Sequence, residues 1–285
     1  MKGQQKRQKS QTKPKRSRQT KQKDQKIQKI PFSEIIKLSI KGYAKNLSIA
    51  LPFLIILVVL IAIIALFGIL ALISGVGGLF VDPTIVSQLD LTKVYILFIF
   101  GGILFLALLF STSFIASGAT GMALEICEKN KTSMRTFLTV AKKFWLKFIG
   151  LWLLIVLIMG LPVAALGIMA VFLLKNLSSI VLIASTITLG FIGILWINFF
   201  VIAPYIMIKN DIGILKSISE GFSFSKKNYL ELLIITIGFT VIWLLLSLIP
   251  YYVGDLINYL VVSPISIIVY SYLFKLRRQK QQAIQ

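Results

Sequence analysis

The sequence predicts an all-α integral membrane protein: six transmembrane helices with three amphipathic interfacial helices along the cytoplasmic face. Three observations carry this expectation. Of the 285 residues, 57% are hydrophobic and 14% charged, where a soluble domain has about 25% charged residues with which to cover its surface. Six uninterrupted apolar runs each reach the roughly 20 residues that a helix needs to cross about 30 Å of hydrocarbon, which favours helices over a barrel. Finally, 29 of the 31 Lys and Arg residues fall on one side of that six-span path.

Residues 1–30 hold 12 Lys or Arg, 8 Gln and a single acid, Asp24. So little apolar surface cannot offset the entropy of ordering, and a disordered basic tail is expected. Its cations read three ways: as a solvated tail that sets topology, as a contact with anionic lipid, or as a contact with RNA or ribosomes through phosphates. No aromatic residue is interleaved for base stacking, so sequence-specific nucleic acid is not an expected partner. The apolar runs cover residues 47–74, 94–117, 148–174, 177–208, 230–253 and 256–276, inside a membrane domain of residues 31–276, and residues 277–285 form a short basic C-terminal tail. The first run is longer than a signal-peptide core and has no small-residue cleavage pattern behind it, so it is expected to be retained. The first, third and fourth runs would be about 40 Å long as straight helices, which predicts tilt or kinks, with Pro162, Pro204, Pro250 and Pro264 as bends or ends. The positive-inside rule puts both termini and the two long basic connections in the cytoplasm, with the protein in the cell membrane.

Three basic segments share a pattern. Phe32, Ile35, Ile36, Ile40, Tyr43 and Leu47 recur at helical spacing with Lys37, Lys41 and Lys45 interleaved. Met134, Phe137, Leu138, Ala141, Phe144, Trp145 and Phe148 do the same around Arg135, Lys142 and Lys143, and Ile214, Ile218, Phe222, Ser225 and Tyr229 around Lys216, Lys226 and Lys227. Such periodicity predicts amphipathic helices. Superposing Ala44-Lys45-Asn46, Lys142-Lys143-Phe144 and Lys226-Lys227-Asn228 suggests one unit repeated three times: an interfacial helix, a helix out and a helix back.

From Ala203-Pro204-Tyr205 through Asp211-Ile212-Gly213-Ile214-Leu215-Lys216-Ser217 to Ser225-Lys226-Lys227-Asn228-Tyr229, the chain resembles a family of six-span membrane proteins related to the membrane domain of glycerophosphoryl diester phosphodiesterases. The resemblance implies the architecture of that domain. It implies no enzymatic activity, because the catalytic barrel with its acidic metal ligands and His has no counterpart among these residues.

The chemistry open to the chain is narrow. With no His, imidazole bases, Ser-His triads and imidazole metal sites are excluded, and no cofactor is expected. The apolar runs carry no Asp, Glu, Lys or Arg at mid-depth, which argues against a proton-coupled transporter. The single Cys127 stands between Glu125 and Glu128, which disfavour a thiolate, so a reduced thiol is expected. Lys227 and Glu231 are expected to pair. Ser113, Ser117 and Gly121, and Gly160 with Ala164, are small residues one turn apart that allow close helix approach, within one chain or between copies. Gly75-Val76-Gly77-Gly78 lacks the Lys and Ser/Thr frame of a phosphate loop and reads as a turn. The function expected is therefore a non-enzymatic membrane protein acting through its basic cytoplasmic face on anionic lipids or partner proteins. Lys45, Arg135, Lys142, Lys143, Lys226 and Lys227 are the candidate lipid contacts. Membrane lipids are the expected partners, with another protein or a second copy of the chain beside them. The alternative is a channel or permease for a neutral or lipidic solute, in which Asn198 lines the cavity, because an unpaired amide in lipid costs a few kcal/mol.

Overall fold

The computed structural model describes the backbone of residues 31–73, 91–173, 188, 190, 192–249 and 253–284. The basic tail, the Gly75-Val76-Gly77-Gly78 turn, residues 177–187 of the fourth apolar run and Pro250 lie outside the described residues. Among those described, the structure is helical with no strand. In order come α1 (Phe32–Lys45), a 3-10 turn (Leu47–Ala50), α2 (Leu51–Ile73), α3 (Leu91–Lys129), α4 (Met134–Leu173), α5 (Ala203–Asn210), α6 (Ile214–Lys227) and α7 (Tyr229–Ser247). A short α8 (Val253–Ile257), a π-helical turn (Asn258–Val262) and α9 (Ser263–Ile284) complete the order.

Among the described residues, five segments are long and apolar enough to cross a membrane: Leu47–Ile69, Phe98–Lys129, Met134–Gly160, Tyr229–Ser247 and Val253–Gln279. The described part of the fourth run breaks up. Residues 192–197 are helical, 198–202 form a turn, and Pro204 stands in the first turn of α5, where its missing N–H has no helical partner to lose. Pro162, expected to bend or end a helix, lies within the continuous helical assignment of α4.

The second amphipathic segment is not a separate interfacial helix. α3 runs unbroken for 39 residues, turns at Asn130 in the left-handed region (φ 55°), and α4 runs unbroken for 40 from Met134. Each is about 60 Å long, twice the hydrocarbon thickness, so membrane-crossing and basic portions are one rigid rod. Of the apolar stripe of this segment, Phe137, Ala141, Phe144 and Phe148 are buried, Met134 and Trp145 are half-buried, and Leu138 is exposed. α1 and α6 do stand alone. Both are 14 residues long and both stop at an Asn whose side chain donates to the carbonyl one turn back, Asn46 to Gly42 and Asn228 to Phe224, each at 2.9 Å. At the third aligned position stands Phe144, which has no such donor.

The packed core sits at the basic end. Ile35 and Ile49 meet Met122, Ile126, Phe137, Ile202, Leu232, Ile268 and Leu273 in one cluster, while Phe144, Phe148, Leu151 and Ile155 meet Phe200, Ala203 and Met207 in a second. Away from that end the helices leave Phe98, Ile103, Val156, Leu157 and Leu248 exposed. Side chains of that size need hydrocarbon around them.

α1 and α6 pack by an unexpected face. Their buried residues are Ile35, Ser39 and Gly42 in one, and Ser217, Gly221, Phe224 and Ser225 in the other. Of the residues that periodicity marks, Ile35 and Ser225 are buried and Ile36, Tyr43, Ile214, Ile218 and Tyr229 half-buried, whereas Phe32, Ile40, Leu47 and Phe222 are exposed. Small residues let backbones come close: a Cβ on Gly42 would stand 3.1 Å from Ile126, and one on Gly221 would stand 3.1 Å from the backbone of Ala203. The small stripe on α3 likewise serves packing within the chain, with Ser113 and Ser117 buried and Gly121 against Val140 of α4. Among the described residues Gly160 meets nothing beyond its own helix.

Candidate functional site

The basic connections gather at one end of the bundle, where short helices meet the ends of long ones. Three acids pin the elements together. Asp211 ends α5 in the left-handed region (φ 49°, ψ 48°), which Asp tolerates, and so aims its carboxylate at α4. There Lys143 donates to it at 2.6 Å and Lys147 at 3.4 Å. The hydrogen bond from Lys143, followed by the charges of both lysines, holds the Asp211 carboxyl below the ordinary Asp value. Glu128 of α3 pairs with Lys209 of α5. Glu231 of α7 takes two hydrogen bonds from Arg277 of α9, at 2.7 and 2.5 Å, a bidentate geometry that fixes orientation.

Neutral and mixed links complete the frame. Arg278 donates to Asn210 at 2.7 Å, Asn210 donates to Glu220 at 3.2 Å, and Lys275 donates to the carbonyl of Cys127 at 2.5 Å. Asn46 accepts from the Thr132 backbone at 3.0 Å, tying the end of α1 to the α3–α4 turn. Cys127 itself is buried against Ile268.

This frame divides the cations. Lys143 is held by Asp211, so of the six candidate lipid contacts it is the one already paired. Lys45, Arg135, Lys142, Lys226 and Lys227 are exposed and make no ion pair or side-chain hydrogen bond among the described residues. The expected Lys227–Glu231 pair does not form, because Arg277 reaches Glu231 from α9 with a planar fork that a single ammonium cannot match. Exposed apolar side chains stand among the unpaired cations: Leu47 beside Lys45, Leu138 beside Arg135, and Phe222 and Leu230 flanking Lys226 and Lys227. Lys227 also lines a hollow of about 210 Å³ with Asn210, Glu220, Ser223 and Arg278.

Asn198 lies elsewhere, in the apolar body. It is fully buried, donates to the Ile194 carbonyl at 2.7 Å and accepts from the Thr236 hydroxyl at 2.6 Å. Among the described residues it is thereby tied to the helical turn before it and to Thr236 of α7. Comparison of the chain with protein-family models, curated proteins and solved structures gives no match.

Sequence reasoning marked the cations and missed the acids that sort them. A left-handed Asp at a helix end has no local signature beyond a nearby glycine, here Gly213 before α6. The Glu231–Arg277 fork joins residues 46 apart, a pairing that no local spacing encodes.

Proposed function

We propose that the protein is a non-enzymatic, multi-pass membrane protein whose basic end faces the cytoplasm and gathers anionic lipid headgroups. One observation carries this: five exposed cations without protein partners stand among exposed apolar side chains at the end where the neighbouring cations are neutralised by acids. A surface that presents ammonium groups beside Phe and Leu fits the headgroup boundary, where the ring or aliphatic chain enters the acyl layer and the cation meets phosphate. The exposure of Phe32 and Ile40 on α1 and of Phe222 on α6 supports an interfacial position for both helices. In this reading the chain makes six spans built from one unit used three times. Its support is that α1 and α6 have equal lengths, the same Asn stop and buried residues at matching positions, Ile35, Ser39 and Gly42 answering to Ser217, Gly221 and Phe224. The third copy would be fused into α4. The resemblance to the phosphodiesterase membrane domain belongs to the same proposal. So does the absence of catalysis, since Glu128, Asp211 and Glu231 are each engaged with Lys or Arg instead of converging on one point.

The test is native mass spectrometry of the full chain in nanodiscs of mixed phosphatidylcholine and phosphatidylglycerol. Phosphatidylglycerol should be retained preferentially, and changing Lys142, Lys226 and Lys227 together to Gln should weaken that retention by up to about a hundredfold at low salt, since each cation near an anionic surface is worth about 1 kcal/mol. Equal retention of both lipids by the natural chain would sink the proposal, and retention of another protein in their place would turn this face into a protein-binding one.

A further inference from the structure

In the apolar body, α7, the π-helical turn Asn258–Val262 and the start of α9 flank a cleft of about 300 Å³ lined by Thr236, Thr240, Trp243, Asn258, Ser266 and Tyr270, together with Ser263 and two apolar side chains. Four features of this cleft point to one class of ligand.

No charged residue lines it among the described residues. A charged headgroup would lose its hydration there without a counter-ion, which excludes phospholipids and amines. The cleft also presents acceptors and withholds hydroxyl donors. Thr240 donates to the Thr236 carbonyl at 2.8 Å, Ser263 to the Asn258 carbonyl at 2.9 Å and Ser266 to the Ser263 carbonyl at 2.8 Å. Thr236 gives its proton to Asn198, which leaves Tyr270, 2.8 Å away, to donate to Thr236. Every one of these hydroxyl protons is committed, so each of these hydroxyls offers the cleft only its lone pairs.

Asn258 is the third feature. It is 4% exposed, and its Oδ1 accepts no hydrogen bond among the described residues. A buried amide oxygen without a donor is worth about 1–3 kcal/mol of destabilisation, a debt that a bound O–H would cancel. Asn258 also opens the π-helical turn Asn258–Val262, a rare wide turn that is frequent at functional sites. Lastly, the cleft is reached from the side. Trp243 is half exposed, and Val241, Ile242, Leu244 and Leu245 around it are exposed and apolar, so the mouth opens among residues that face acyl chains.

We propose that this cleft binds an uncharged, hydroxyl-bearing lipid of the acylglycerol class, its hydroxyl donating to Asn258 and its acyl chain leaving past Trp243. The site is separate from the basic end and does not depend on the anionic-lipid proposal.

The experiment uses the full chain in phosphatidylcholine nanodiscs, with Trp145, Trp152 and Trp196 changed to Phe so that fluorescence reports Trp243. The probes are a monoacylglycerol brominated on its chain, the same lipid with both hydroxyls methylated, and free glycerol as competitor. Quenching by the monoacylglycerol should saturate and should be about tenfold weaker for the methylated lipid and for Asn258→Leu, the loss of one hydrogen bond in a buried site. Thr240→Leu, which fills the mouth from a half-exposed position and leaves Asn258 in place, should weaken it too, so a folding defect in the first variant leaves the proposal testable. Lys142→Gln with Lys226→Gln and Lys227→Gln should leave it unchanged, which separates this site from the basic one. Competition by glycerol at matched concentration would show that a soluble polyol, not a lipid, is the ligand, and would overturn the lipid assignment. Quenching that rises linearly with lipid, alike for both brominated lipids and all variants, would overturn the site.

Discussion

Asp211 shows how one side chain can set the use of several others. Its carboxylate holds Lys143 and Lys147 on α4 and so removes both from the pool of free cations. Because that pairing depresses its pKa, the clasp stabilises the fold above the unfolded Asp value of about 3.9 and is lost as pH falls through the lower folded value. The difference in thermal stability between the natural chain and Asp211→Asn should therefore be constant from about pH 5 upward and close at lower pH. A difference that grows on acidification would mean that Asp211 is not held by its lysines. Salt should shrink the effect, since the pair is exposed. The residue scale also shows where reading a sequence stops. Lys227 and Glu231, one helical turn apart, looked like partners, but Arg277 offers Glu231 two parallel N–H donors from another helix. Local spacing ranks neighbours along the chain and is silent about a better donor brought in by the fold.

At the scale of elements, the long apolar runs were plain in the sequence, because a run of that length has few other solutions. The faces of the short helices were not. Periodicity tells which residues avoid water, yet next to a membrane they have two places to go, protein or lipid, and the pattern is the same for both. In α1 and α6 the protein contact falls to Ser39, Gly42, Ser217 and Gly221. Gly221→Ala should cost about 1–3 kcal/mol, because its Cβ would stand 3.1 Å from the Cα of Ala203, backbone that cannot swing aside. Gly238→Ala on α7, where nothing lies within 4 Å, should instead stabilise by about 0.5–1 kcal/mol through helix propensity. Thermal unfolding in detergent reads both, and shifts of the same sign would refute the packing described for α6. The different fates of the three aligned segments had a signal in the sequence: Asn46 and Asn228 can turn back on the helix and end it, whereas Phe144 has no donor and lets α4 continue.

For the whole molecule, composition and the lopsided distribution of Lys and Arg marked a membrane protein with one basic end, and the described helices bring the basic segments of α1, α4, α6 and α9 to one end of the bundle. What could not be seen was which helices close the bundle. α9 packs against both α1 and α3. Tyr43 of α1 donates to the Leu260 carbonyl at 2.7 Å just before α9, Gly42 rests near Ile268 and Tyr272, and Lys275 caps the Cys127 carbonyl of α3. Contacts between residues more than 200 positions apart thus hold one of the earliest described helices to the latest. During synthesis α1 can meet α3 early, through Ile126 and the α3–α4 turn, but the part of it that faces α9 stays uncovered until nearly all of the chain has been made. A chain stopped before Ser263 should remain in that partly covered state, and trypsin should cut it after Lys37, Lys41 or Lys45 faster than it cuts the full chain. Equal rates would mean that α1 docks without α9. Completion of the last helix is then the event that turns a series of inserted hairpins into a single closed body, and surveillance proteases that sample membrane proteins would have until that moment to find its first helix only partly docked.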